Sequence, residues 1–84
     1  MWKDLSYVLR AKNRKRVISA LNEPKLPSQL AEELKMHISH VSRTLNELEK
    51  AEIAECLTPE EKVGRLYGLT RKGKEIRDRI SQIS

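Results

Sequence analysis

The chain has 84 residues, the size of one domain, and its 17 Lys and Arg against 12 Asp and Glu give a net charge of +5. An apolar share of 38% beside a charged share of 35% predicts one small core under a large solvated surface, and no apolar run reaches the ~20 residues of a membrane span. Asp4 near the start argues against a signal peptide, and the lone Cys56 excludes a disulfide framework and fits a reducing, cytoplasmic setting.

Taken in chain order, Leu5, Val8 and Leu9, then Val17, Ile18 and Leu21, recur at helical spacing, and the run Arg10–Arg16 between them has almost no apolar face. Residues 1–22 therefore read as a short N-terminal helix, a break near Ala11 to Asn13, and a helix from about Asn13 to Asn22. Pro24 and Pro27 bracket a short loop. Pro27 suits the first turn of the next helix, with Gln29 placed to reach back toward the cap, although Leu26 has no capping side chain. Leu30, Ala31 and Leu34 form that helix's buried face. After a break at Lys35 to His37, a further helix runs from about Ile38 to Ala51 on Val41, Leu45 and Leu48.

The next segment, residues 53–70, reads as a hairpin: two short runs, Ile53 to Thr58 and Arg65 to Thr70, joined by a turn containing Pro59 and Gly64. Residues 71–84 return to a helical rhythm through Ile76, Ile80 and Ile83. The predicted fold is α+β, mostly α, in one domain spanning 1–84.

Residues 27–51 place two helices about a tight turn, with Leu30, Leu34, Val41 and Leu45 locking the pair at a steep angle. That geometry leaves Ile38, Ser39, Ser42, Arg43 and Asn46 on the free face of the second helix. Arg and Asn pair in a bidentate way with guanine and adenine edges in a major groove. His37 and His40, spaced i, i+3 at the helix start, could ligate a metal, but no third ligand is near. They read instead as polar residues facing phosphate or water.

The stretches Leu30–Leu34 and His40–Glu49 resemble the helix-turn-helix of winged-helix transcriptional regulators. Leu66–Lys74 resembles the last wing strand and the start of the final helix in MarR- and ArsR-type regulators, and the opening Leu5–Arg14 is similar to small archaeal members of that superfamily. The resemblance implies a winged helix-turn-helix: three helices, a two-stranded wing and a C-terminal helix. It also implies sequence-specific binding of double-stranded DNA through Ser39, Ser42, Arg43, Asn46, His37 and His40, with Lys62 and Arg65 on the wing. Two positions depart from the pattern. Lys35 stands where Gly is usual in the turn, and the paired cysteines of metal-sensing ArsR proteins are absent.

Charge is unevenly spread: residues 1–22 carry +5, 23–50 carry −1, 51–62 carry −3 and 63–84 carry +4. Phosphate attraction would therefore come from Arg10, Lys12, Arg14, Lys15 and Arg16, from Lys62 and Arg65, and from Arg71 and Lys72, or these are ordinary solvated faces. The low charge of the recognition helix, with Glu55, Glu60 and Glu61 near the wing, keeps two alternatives open. One is a winged-helix protein-interaction module of a transcription or replication assembly; the other is a nonspecific architectural DNA binder. No catalytic motif, cofactor site, metal site or small-molecule ligand is evident. Ile76, Ile80 and Ile83 have the spacing of an interhelical seam, and with Trp2 and Leu5 they predict a homodimer held by the terminal helices. In a monomer the same stripes would instead close on each other.

Overall fold

In the computed structural model, which describes residues 2–83, five helices and one two-stranded sheet follow in the order α1 (Trp2–Leu9), α2 (Lys12–Ala20), α3 (Pro27–Leu34), α4 (Ile38–Lys50), β1 (Ala54–Cys56), β2 (Tyr67–Leu69) and α5 (Arg71–Ile83). The order follows the reading along the chain, with α1 added before the three helices, wing and C-terminal helix that the resemblance implied, and both strands are shorter than predicted. Only Ala54↔Leu69, Glu55↔Gly68 and Cys56↔Tyr67 pair in the antiparallel register.

A third piece of backbone joins this sheet. Lys25 and Tyr67 exchange two N–H···O bonds of 2.9 Å, so the loop between the two prolines is a one-residue edge on the wing. A single bridging residue has no alternation for sequence to display, which is why the segment reads as a plain loop.

The predicted apolar positions do enclose one core. Val17, Ile18, Leu30, Val41, Leu45, Leu48 and Ile53 are all buried to within 1% of full exclusion from solvent. Tyr67 joins this cluster, and Cys56 packs against its edge as a small hydrophobe.

The helix ends explain the departures noted in the sequence. At the start of α3, Gln29 Oε1 accepts the Leu26 N–H at 2.8 Å, so the reach-back half of a capping box forms without a polar side chain at the cap. At the end of α3 the Met36 N–H reaches the Ala31 carbonyl at 2.9 Å and the Lys35 N–H reaches Glu32 at 3.3 Å. Lys35 itself takes the left-handed conformation, φ 55° and ψ 45°. This is a Schellman turn made without glycine. The end of α4 repeats the device: Ile53 N–H bonds Leu48 O at 2.8 Å, and Glu52 sits at φ 61°.

One expectation is corrected here. Leu5 is 3% exposed, Ile76 0% and Ile80 3%, all within the chain's own core. The stripes of the terminal helices close on each other inside the molecule, the monomer arrangement that the sequence also allowed, so these three side chains are not on its surface. A domain this small has too little apolar surface to fill its core and leave a second stripe free. Trp2 and Ile83 are different, at 78% and 63% exposed.

Candidate nucleic-acid interface

The recognition surface is built on α4. Val41, Thr44, Leu45 and Leu48 turn inward, and the buried Thr44 hydroxyl is satisfied by donating to the His40 carbonyl at 2.8 Å. The 3.6-residue period then forces Ile38, Ser39, Ser42, Arg43, Asn46 and Glu49 outward, and all six are exposed. Ser42, Arg43 and Asn46 make no side-chain hydrogen bond among the described residues, so their donors and acceptors face solvent.

His37 and Ser39 are placed otherwise than as simple outward contacts. His37 caps α4: its Nδ1 accepts the Ser39 N–H at 3.2 Å and lies 2.8 Å from Ser39 Oγ. His40 is exposed, with its ring 6.0 Å from that of His37 and tilted by 55°. Among the described residues no group of three His, Cys, Asp or Glu is arranged to hold a metal.

Two open grooves flank the helix. On the wing side, Ser28, Ile38, Ser42, Lys62, Val63 and Arg65 share one groove. On the other side, Lys12, Asn13 and Arg14 at the start of α2 face His40, Arg43 and Glu47. The first groove brings the predicted wing residues beside the predicted helix residues. The second adds Asn13, which sequence reasoning missed because a lone Asn in a basic run carries no spacing signal; Ser28 of the first groove was missed because a Ser after a helix-opening Pro reads as part of the helix start.

The basic cluster of α2 divides by task. Arg14 donates Nε–H to Glu47 Oε1 at 3.3 Å and Nη1–H to the Tyr7 carbonyl at 2.9 Å, and its guanidinium lies 3.7 Å above the Tyr7 ring. Arg16 donates to the Leu34 carbonyl at the end of α3. Both guanidiniums therefore hold helices together, which corrects their expected place among phosphate contacts. Arg10 and Lys12 are exposed. The Arg14 pair also engages Glu47, which lines the α2-side groove with Arg43.

A family model described as a helix-turn-helix domain matches residues 9–56, from the end of α1 through β1 and more than half of the chain. The chain belongs to the helix-turn-helix domain family. Among solved structures, this helix-turn-helix protein superposes on the reduced form of MarR from E. coli with a TM-score of 0.81 at 25% identity, covering 96% of this chain and 62% of that one. A MarR family transcriptional regulator from Silicibacter pomeroyi gives a TM-score of 0.78 at 28% identity, covering 96% and 56%. NadR in complex with 4-hydroxyphenylacetate, at 22% identity, shares the fold with a TM-score of 0.75, covering 95% and 62%. The chain thus spans between 56% and 62% of the length of these three proteins. No curated protein matches it significantly in sequence. The fold is the winged helix-turn-helix of MarR-type regulators, and β1, β2 and the loop between them form the wing. No helix among the described residues is long and apolar enough to cross a membrane.

Proposed function

We propose that this protein is a DNA-binding transcriptional regulator that reads duplex DNA sequence-specifically in the cytoplasm. The observation that supports the reading is the single exposed face of Ser42, Arg43 and Asn46, whose hydrogen-bonding groups are uncommitted and which a groove borders on each side. In this reading α4 enters the major groove. Arg43 and Asn46 address base edges, Ser39 and Ser42 address bases or phosphate, and His37 and His40 lie over the backbone at the helix start. The Lys62 side of the wing and Lys12 at the opposite groove supply the cations for the two strands.

One winged-helix module buries only about 600–1,000 Å² on DNA, so a homodimer on a two-fold site supplies the remaining affinity. Trp2 and Ile83, together with Leu9 at 40% exposed, are exposed apolar side chains on the two terminal helices that such a contact would cover. The likeness to small archaeal regulators rests on Leu5–Arg14 alone.

The deciding experiment incubates the purified protein with a random duplex library and sequences what is retained over several rounds. Enrichment of one motif, with binding that falls as salt rises, is the expected result. Retention without enrichment would indicate architectural binding and overturn sequence-specific reading. No retention at low salt would overturn DNA binding and favour the protein-interaction module, which the exposed acids Glu49, Glu55, Glu60 and Glu61 would suit.

A further inference from the structure

The wing loop, residues 57–66, is long for a hairpin connection and exposes nearly all of its side chains. A loop of this kind with no internal ties would sample many conformations and would have to be ordered on binding. Two side chains tie it. Thr58 Oγ1 accepts the Leu66 N–H at 3.0 Å, while the Thr58 carbonyl accepts the Glu61 N–H at 3.0 Å. Arg65 folds back across the loop, donating Nε–H to the Glu61 carbonyl at 2.8 Å and Nη2–H to the Pro59 carbonyl at 2.9 Å.

The tip that these ties leave projecting is Lys62-Val63-Gly64. Val63 is 88% exposed, and Gly64 takes φ +72° with nothing within 4 Å of where a side chain would begin. That conformation favours glycine and turns the chain back toward Arg65.

From this arrangement we infer that Arg65 is a positioning residue of the wing, a latch that presets the loop and presents Lys62 and Val63 to the duplex, and not itself the charge that meets phosphate. The inference rests on the DNA-binding reading for its consequence but not for its geometry. A planar guanidinium satisfies two carbonyls of one loop simultaneously through a fixed fork; an ammonium on a flexible stem does not reproduce that fork. Charge and latch are thereby separable by substitution.

The test compares R65K, R65Q, T58V and K62Q in the full chain by two measurements. The first is the backbone ¹⁵N order parameters of residues 60–65 in the free protein. The second is duplex affinity across a salt series. R65Q, R65K and T58V should all lower the order parameters and weaken duplex binding by roughly three- to tenfold, with the log–log salt slope nearly unchanged. K62Q should leave the order parameters as they are and reduce the salt slope by about one unit. R65K that binds like the unaltered protein, together with R65Q that loses about one unit of slope, would make Arg65 a phosphate contact and overturn the inference. Order parameters unchanged in R65Q would overturn it without reference to DNA. A protein that binds no duplex would remove the DNA-binding reading while the order parameters still decide whether the latch exists.

Discussion

Gly73 of α5 lies so close to Ile53, the residue leading into β1, that a Cβ built on it would stand 2.1 Å from the Ile53 carbonyl oxygen. That same oxygen accepts the Thr70 N–H at 3.0 Å and lies 3.1 Å from the Thr70 hydroxyl, which in turn accepts the Gly73 N–H at 3.0 Å. Thr70 thus caps α5 and fastens it to the residue that follows the left-handed turn at Glu52. The helix can approach the sheet this closely only because position 73 has no side chain.

Substituting Gly73→Ala sets two effects against each other. Ala in place of Gly inside a helix contributes about 0.5–1 kcal/mol in the favourable direction. The clash is with backbone, so it is relieved only by moving α5 off β1, an overpacking cost of about 1–3 kcal/mol or more. The clash wins. Urea denaturation should show a net loss of about 1–2 kcal/mol, and a variant as stable as the unaltered protein would mean that the close approach is absent.

Lys35 offers the opposite case. Its left-handed conformation, φ 55° and ψ 45°, costs an L-residue roughly 1–2 kcal/mol, and glycine avoids that cost while losing some backbone entropy. Lys35→Gly should stabilise the protein by about 0.5–1 kcal/mol, read as a rise in thermal midpoint. A fall in midpoint would show that the Lys35 side chain contributes more to the folded state than its backbone strain removes.

The contrast between these two residues shows what could be read in the sequence. Position 35 announces itself, because the Schellman turn between two helices has a known place for glycine and a lysine there stands out. The need for Gly73 does not, since it depends on where β1 lies relative to α5, a relation 20 residues apart in the chain. The same division runs through the site. Helical period alone brought Ser42, Arg43 and Asn46 to one exposed face, because Val41, Leu45 and Leu48 are apolar and must turn inward. Which arginines are already occupied was not legible. Arg14, Arg16 and Arg65 look alike as letters in basic stretches, and only the folded chain shows each aimed at a backbone carbonyl.

Arg43 is the residue on which sequence readout depends in the proposed function. An exposed guanidinium with no partner among the described residues keeps its whole fork for a guanine edge. Arg43→Ala should weaken binding to the selected motif by about 1–3 kcal/mol while leaving random duplex nearly unaffected. Competition titrations with the two duplexes measure the difference. Equal losses on both would make Arg43 a phosphate contact.

The homodimer is tested at the termini, and the core positions must be separated from the surface ones. Ile76 and Ile80 are buried in the chain's own core, so a charged residue at either would be left without solvent or a partner. Ile76→Asp should therefore unfold the protein by about 3–5 kcal/mol and says nothing about association. Trp2 and Ile83, at 78% and 63% exposed, carry the apolar surface that association would cover. Trp2→Ser with Ile83→Ser should leave the fold and its thermal midpoint nearly unchanged, because neither side chain fills the core. The unaltered protein should sediment as a dimer at tens of micromolar, with the double variant shifted to the 9.7 kDa monomer. The same variant should bind a two-fold operator much more weakly than the unaltered protein, yet bind a single half-site equally well. That pairing matters because half-sites about 34 Å apart need two recognition helices held at a fixed spacing, whereas one half-site needs only one. Sedimentation of the unaltered protein as a monomer at those concentrations would end the dimer proposal and leave α4 and the wing to act from a single copy.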